Sequence, residues 1–336
     1  MRGAGKLALG LLAASQGATG AATRIPPWHA LAAIPIGTLQ EHSTVAVSDT
    51  KLVVLGGLLS NRSTTNQVLV YDIPTNAWST AAPLPVVLNH PNAAAVAGKA
   101  YVLSGLTAPG PNATGAWRAV PDCAVYDPAA NTWTALPPLP AAQARGGAAV
   151  GVHGATIFIA GGIAGSGGAS VATVSAFDTA AGRWLELPAA ARQLPAPRDH
   201  VGGAVVAGKF YVLGGRDSGV TNVKDTVFVL DLADLVGGWR TGAARMPTAR
   251  GGVAAAAVGS KIYVLGGEGN RAENTKGVFG QTEVYDVVAD RWESLGAMHL
   301  PRHGTCAAVA EGRIYIPGGG VRQGEGATSE FDVFTP

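Results

Sequence analysis

Two cysteines, few charges and no long apolar run set the first limits on this 336-residue chain. Two cysteines exclude a small fold stapled by many disulfides. Asp, Glu, Lys and Arg together make up 14% of the residues and the formal net charge is +2. No run of Lys and Arg is present to track a phosphate backbone, so nucleic acid is not an expected partner. The apolar run Leu7–Ala14 is too short to cross a bilayer, and no membrane span is expected. Arg2 and Lys6 precede that run and small residues from Ser15 to Ala22 follow it, the layout of a secretory signal peptide. Residues 1–22 are therefore expected to be a leader, and residues 23–336 a single secreted domain.

Glycine, by contrast, is abundant, with 47 residues. Much of its meaning lies in six short doublets: Gly56-Gly57, Ser104-Gly105, Gly161-Gly162, Gly214-Gly215, Gly266-Gly267 and Gly318-Gly319. Their first positions are separated by 48, 57, 53, 52 and 52 residues, the pitch of propeller blades. Runs such as Ile262-Tyr263-Val264-Leu265 precede the doublets and read as buried strands ending in a turn. An aromatic-Asp or apolar-Asp pair follows each doublet, at Tyr71-Asp72, Tyr126-Asp127, Phe177-Asp178, Leu230-Asp231, Tyr285-Asp286 and Phe331-Asp332. Trp78, Trp133, Trp184, Trp239 and Trp292 come next, but the sixth repeat has no Trp after it. Trp28 stands 28 residues before the first doublet, within the spacing of the other five, so its segment is expected to supply the outer strand of the last blade. Such a closure leaves no open sheet edge.

Doublet, Tyr-Asp and Trp at this spacing resemble the kelch repeat from about residue 25 onward. The resemblance implies an all-β fold, a six-bladed kelch-type β-propeller with four antiparallel strands per blade. Cys123 and Cys306 then fall in the second and sixth blades, too far apart to pair, and read as free buried thiols. The acceptor sequences at Asn61 and Asn112 fall in polar loops and are expected to carry glycans on a secreted chain.

Kelch-like propellers commonly bind ligands over the channel mouth, where the loops entering the first strands and leaving the second strands open. Counting back 16 residues from the doublets gives Arg145, Arg198, Arg250 and Arg302 in four blades; counting back 14 gives His42, His90 and His200 in three. The arginines are expected to line that face and bind an anion, with backbone or inter-blade pairing as their structural alternative. The histidines are a weaker metal candidate. The long loops Leu106–Pro121 and Glu268–Gln281 add Trp117, Glu268 and Arg271, and the last blade adds Arg322.

Two enzyme families with related propellers suggest activities. Galactose oxidase chemistry needs a cross-linked Tyr–Cys, a second Tyr and two His around copper. All seven tyrosines here occupy repeat positions, which disfavours it. Kelch propellers that epimerise sialic acid use acid–base chemistry, for which Glu268 and Arg271 are candidates. No complete catalytic set can be assembled from the sequence. The expectation is a monomeric, cofactor-free binding module for a glycan, an acidic small molecule or an acidic peptide.

Overall fold

The computed structural model describes residues 27–108, 117–165 and 168–336, together with Met1. The rest of the expected leader and the acceptor Asn112 lie outside these residues. Six four-stranded antiparallel sheets form the blades of one propeller. Blade 4 is typical, with strands Gly202–Val206, Lys209–Leu213, Val227–Asp231 and Trp239–Thr241. Its second strand alternates between two neighbours: Phe210 and Val212 pack with Phe158 and Ala160 of blade 3, while Tyr211 and Leu213 pack with Ile262 and Val264 of blade 5. A strand covered on both faces needs a continuous apolar run, which explains the motif before each doublet. Each fully buried large side chain stabilises the ring by about 1.5–3 kcal/mol.

The doublets are joints between blades. The second-position N–H donates to a carbonyl of the following blade, as in Gly57 to Leu88, Gly162 to Arg198 and Gly267 to Arg302. At Gly161, φ is +73° and a Cβ would lie 2.5 Å from the Arg198 carbonyl oxygen, so only glycine fits without movement. Blade 2 manages with Ser104 at φ 68°, its hydroxyl bonded to the Val120 carbonyl at 2.7 Å.

The repeat Trp residues are a second joint. Trp78, Trp133, Trp184 and Trp239 donate their indole N–H to Ala32, Ala82, Pro137 and Ala191 carbonyls of the preceding connections at 2.7–3.0 Å. The paired Asp residues cap the outer hairpins; Asp178, for example, accepts the Ala180 and Ala181 N–H groups.

Trp28–Ala30 pairs with Phe331–Phe334 as the outer strand of blade 6, with Trp28 opposite Phe334 and their rings 5.0 Å apart. This register corrects the assignment of the sixth motif. Every other repeat Trp faces the first residue of its motif pair, as Trp78 faces Tyr71 and Trp292 faces Tyr285. Phe334-Thr335 therefore occupies the sixth motif position, three residues beyond Phe331-Asp332. Asp332 thus lies within the third strand, opposite Ile316 and Ala30, where it pairs with Arg302 instead of capping a turn.

Candidate functional site

A closed belt of backbone hydrogen bonds surrounds the channel at the loop face. Glu41, His90, Gly147, His200, Gly252 and Gly304 contribute one residue per blade, all at φ between 49° and 63°. Each N–H donates to the carbonyl of the preceding member, and Glu41 closes the circle onto Gly304. Counting back 14 residues finds five members but gives His42 for blade 1. The first strand of that blade shifts register between Ala46 and Ser48, a one-residue bulge absent from the first strands of the other blades. The extra residue puts Glu41 in the belt, while His42 is buried beside it. Burial pushes the His42 imidazole down to about 4, and neither ring nitrogen has a hydrogen-bond partner among the described residues.

Inside the belt, Glu41, His90 and His200 each bring a ligand-type atom within 4.8 Å of the others. His90 Nε2 lies 2.9 Å from His200 Nε2 and 3.1 Å from Glu41 Oε2. The far nitrogens are held from behind: His90 Nδ1 donates to Asn89 Oδ1 and His200 Nδ1 to Asp199 Oδ1, both at 2.6 Å. Arg216 reaches in from the loop after the blade 4 doublet. It donates to Asp199 at 2.8 Å, faces His200 Nε2 at 3.0 Å and pairs with Glu268. Glu268 also accepts the Gly324 N–H at 2.9 Å. His303 donates its Nε2–H to the Arg322 carbonyl at 2.8 Å, while its buried Nδ1 lies 3.6 Å from Glu41 and 3.5 Å from Glu268.

Burial pushes the His90 imidazole down to about 4 despite the neighbouring carboxylate. Burial alone would raise the Glu41 carboxyl, but the three histidines and Arg216 outweigh it and hold it at about 2. Asp199 is likewise held well below the usual carboxylate range, its burial outweighed by His200, Arg216 and Ser170. At neutral pH this gives an ionised Glu41 beside an uncharged His90. The cluster as a whole gathers the three carboxyl groups of Glu41, Asp199 and Glu268 around one guanidinium, that of Arg216.

The cluster forms one end of a channel cavity of about 360 Å³. The walls are the small apolar residues of the first strands, including Ala93, Ala95, Val150, Gly203, Ala255 and Val309. Several of these are only half-buried, so water reaches them from the face of the inner hairpins. On the loop face, Trp117 lies over His90 with ring centres 5.1 Å apart. Glu41, His90 and His200 thus face an apolar-walled channel.

The four arginines expected to line this face instead point outward into their own blades. Arg250 pairs with Glu283 at 2.5 Å and Arg302 with Asp332 at 2.7 Å, all four residues fully buried. Arg145 donates to the Gly161 and Ile159 carbonyls and to Ser175 Oγ; lacking a carboxylate partner, its guanidinium is lowered to about 10 by burial. Arg198 donates to the Pro197 carbonyl and Thr226 Oγ1 and lies 5.0 Å from the Phe228 ring centre. Of the loop candidates, Glu268 and Trp117 join the cluster, whereas Arg271 and Arg322 are on the surface. Asn61 is exposed, its side chain accepting from the Ser63 N–H and hydroxyl.

Asp199, Arg216 and His303 were missed as a connected set. Asp199 and His303 lie between the two registers counted from the doublets. Arg216 and Glu268 share another register, two residues after the first doublet position, where blades 1–3 carry Leu58, Leu106 and Ile163. Two opposite charges at an otherwise apolar register were the available signal.

The KLHDC2/KLHL20/DRC7 kelch-repeats domain matches residues 92–320, and a kelch motif matches residues 42–85. The chain belongs to the kelch-repeat family. Kelch-like protein terF of Aspergillus terreus is 40% identical over 306 residues, covering 88% of this chain and 64% of that protein. The N-(sulfonatooxy)prop-2-enimidothioate sulfolyase of Thlaspi arvense is 29% identical over 156 residues, 45% of this chain and 43% of that protein. This kelch chain thus spans less than two thirds of either relative. The solved structure of YjhT superimposes with a TM-score of 0.74 at 16% identity, covering 91% of this chain and 97% of that one, a likeness of fold.

Proposed function

We propose that this kelch propeller binds a small, largely apolar molecule in its central channel and presents its polar end to Glu41, His90 and His200, which accept hydrogen bonds from it. The observation that carries this reading is the convergence of those three groups at the end of an apolar-walled cavity of about 360 Å³. With Glu41 held at about 2 and His90 at about 4, both are unprotonated at neutral pH and accept hydrogen bonds from a ligand's hydroxyl, though both are weak bases. Asn89 and Asp199 fix the two rings, so little reorganisation is needed when a substrate arrives. The sulfolyase among the relatives supports small-molecule chemistry as a use of the family.

The test is fluorescence titration with 2-naphthol, an apolar two-ring molecule with one hydroxyl. Wild-type protein should bind it, and Val150→Trp, which fills the channel, should weaken binding by at least about tenfold, or 1.4 kcal/mol. No wild-type binding, or equal binding by the variant, would overturn the reading.

A second reading keeps the glycan or acidic ligand on the loop face, carried by surface residues Arg271 and Arg322; the Arg322 side chain is 62% exposed. It requires an acidic sugar such as N-acetylneuraminate to bind wild-type protein and to bind Arg322→Ala more weakly, with Val150→Trp unaffected.

A further inference from the structure

We propose that Glu41, His90 and His200 hold one divalent transition-metal ion at the inner end of the channel. This deepens the proposed role of the cluster, since with the ion bound the ligand's polar end would meet the ion's open position in place of the three side chains, but it rests on the electron pairs and charge there and not on the channel walls.

The hydrogen bonds fix where the electron pairs point. Asn89 Oδ1 and Asp199 Oδ1 can only accept, so His90 and His200 carry their protons on Nδ1 when neutral. Both Nε2 atoms then offer lone pairs, 2.9 Å apart, and His90 Nε2 also faces the Glu41 carboxylate at 3.1 Å. Arg216 Nη2 faces the His200 pair at 3.0 Å, whereas the pairs of His90 Nε2 and Glu41 Oε2, 3.1 Å apart, repel unless a cation or proton lies between them. Donors at about 2.1 Å from one ion are separated by about 3.0 Å at right angles and about 3.4 Å in a tetrahedron, so the observed 2.9 and 3.1 Å lie near the right-angle spacing. The hydrogen bonds to Asn89 and Asp199 are also of the kind that orient metal-bound histidines.

Charge gives an independent argument. The carboxyl groups of Glu41, Asp199 and Glu268 gather around the single guanidinium of Arg216, an arrangement that favours a cation among them. Uncompensated buried charge is costly. His303 supplies a further observation: its ring is fully buried, and Nδ1 is unpartnered among the described residues while facing Glu41 and Glu268. Two imidazoles and one carboxylate suit zinc or iron(II) better than calcium or magnesium, which prefer oxygen donors. Binding requires the Arg216 guanidinium to turn away from His200 Nε2, and because the same planar fork holds Asp199 and Glu268, that turn loosens at least one of those two bonds. A three-residue set also leaves an open position for a ligand, as in catalytic zinc sites.

The test uses the full chain, stripped with chelator, dialysed and titrated with Zn²⁺ by calorimetry, with Co²⁺ absorption as a report on the donors. One equivalent is expected, bound more tightly than Mg²⁺. Glu41→Gln and His90→Ala should each weaken Zn²⁺ by about a hundredfold or more, and Asn89→Ala, which leaves all three ligands in place, by about tenfold. The surface variant His153→Ala should match wild type. Absence of stoichiometric Zn²⁺, or affinity unchanged in both Glu41→Gln and Asn89→Ala, would overturn the site. Val150→Trp separates this inference from the channel reading. It should lose 2-naphthol yet keep Zn²⁺; failed 2-naphthol binding with intact Zn²⁺ binding sinks only the channel reading.

Discussion

The arginine belt and the mouth cluster are chain neighbours in blades 4 and 6, where Arg198 precedes Asp199 and His200 and Arg302 precedes His303, yet they handle buried charge in opposite ways. Arg250 and Arg302 each meet a carboxylate and backbone carbonyls inside one blade. The mouth gathers residues from blades 1, 2, 4, 5 and 6, with lone pairs facing one another and three carboxyl groups around one guanidinium. An arginine belt whose ion pairs and carbonyl bonds lie within single blades holds the sheets together, even though Nε of Arg198, Arg250 and Arg302 and Oδ1 of Asp332 have no partner among the described residues. A cluster that leaves bonds incomplete across blades can bind something. The four arginines look like a ligand ring in the sequence, but their geometry makes them structural.

Removing one belt arginine is the largest test of this contrast. Arg250→Ala strands Glu283 in a dry interior and should cost about 3–5 kcal/mol of stability, read from denaturant unfolding. A loss below 1 kcal/mol would show that the pair is not needed to hold the blade.

Glu41→Gln should behave in the opposite direction. The amide offers an N–H to the His90 lone pair and removes one negative charge from the cluster. Metal-free protein should therefore melt at the wild-type temperature or higher, although Zn²⁺ binding is lost. A large fall in melting temperature without metal would place Glu41 with the structural arginines.

The smallest effects belong to the loop face. Arg322→Ala and Arg271→Ala remove exposed side chains and should change stability by no more than about 0.5 kcal/mol. A larger change in either would mean that the loop face braces the mouth.

Much of the ring was legible because every blade repeats the same contacts. The doublets mark joints where backbone meets backbone, the Trp residues mark indole donors to the previous connection, and Trp28 announces the closure. His90, His200 and Glu268 were legible as site residues because they stand out at fixed distances from those joints. Glu41 was not, since one bulged residue between Ala46 and Ser48 moves the count by one. The sixth motif was misplaced for a related reason: Phe331-Asp332 has the right composition, but only pairing with Trp28 shows that Phe334-Thr335 holds the position.

By itself, the sequence determined the fold, the number of blades and the place where the chain closes, because these follow from a pattern repeated along one dimension. Tertiary structure alone decided which way each charged side chain turns and which groups meet. Direction depends on strand pairing within a blade, and meeting depends on the curvature that brings blades 1, 2 and 4 together around one axis. Arg145, Arg198, Arg250 and Arg302 turn outward because carbonyls and third-strand partners await them there. Glu41, His90 and His200 turn toward the channel because their left-handed backbone, locked by the belt of hydrogen bonds, aims them at one another.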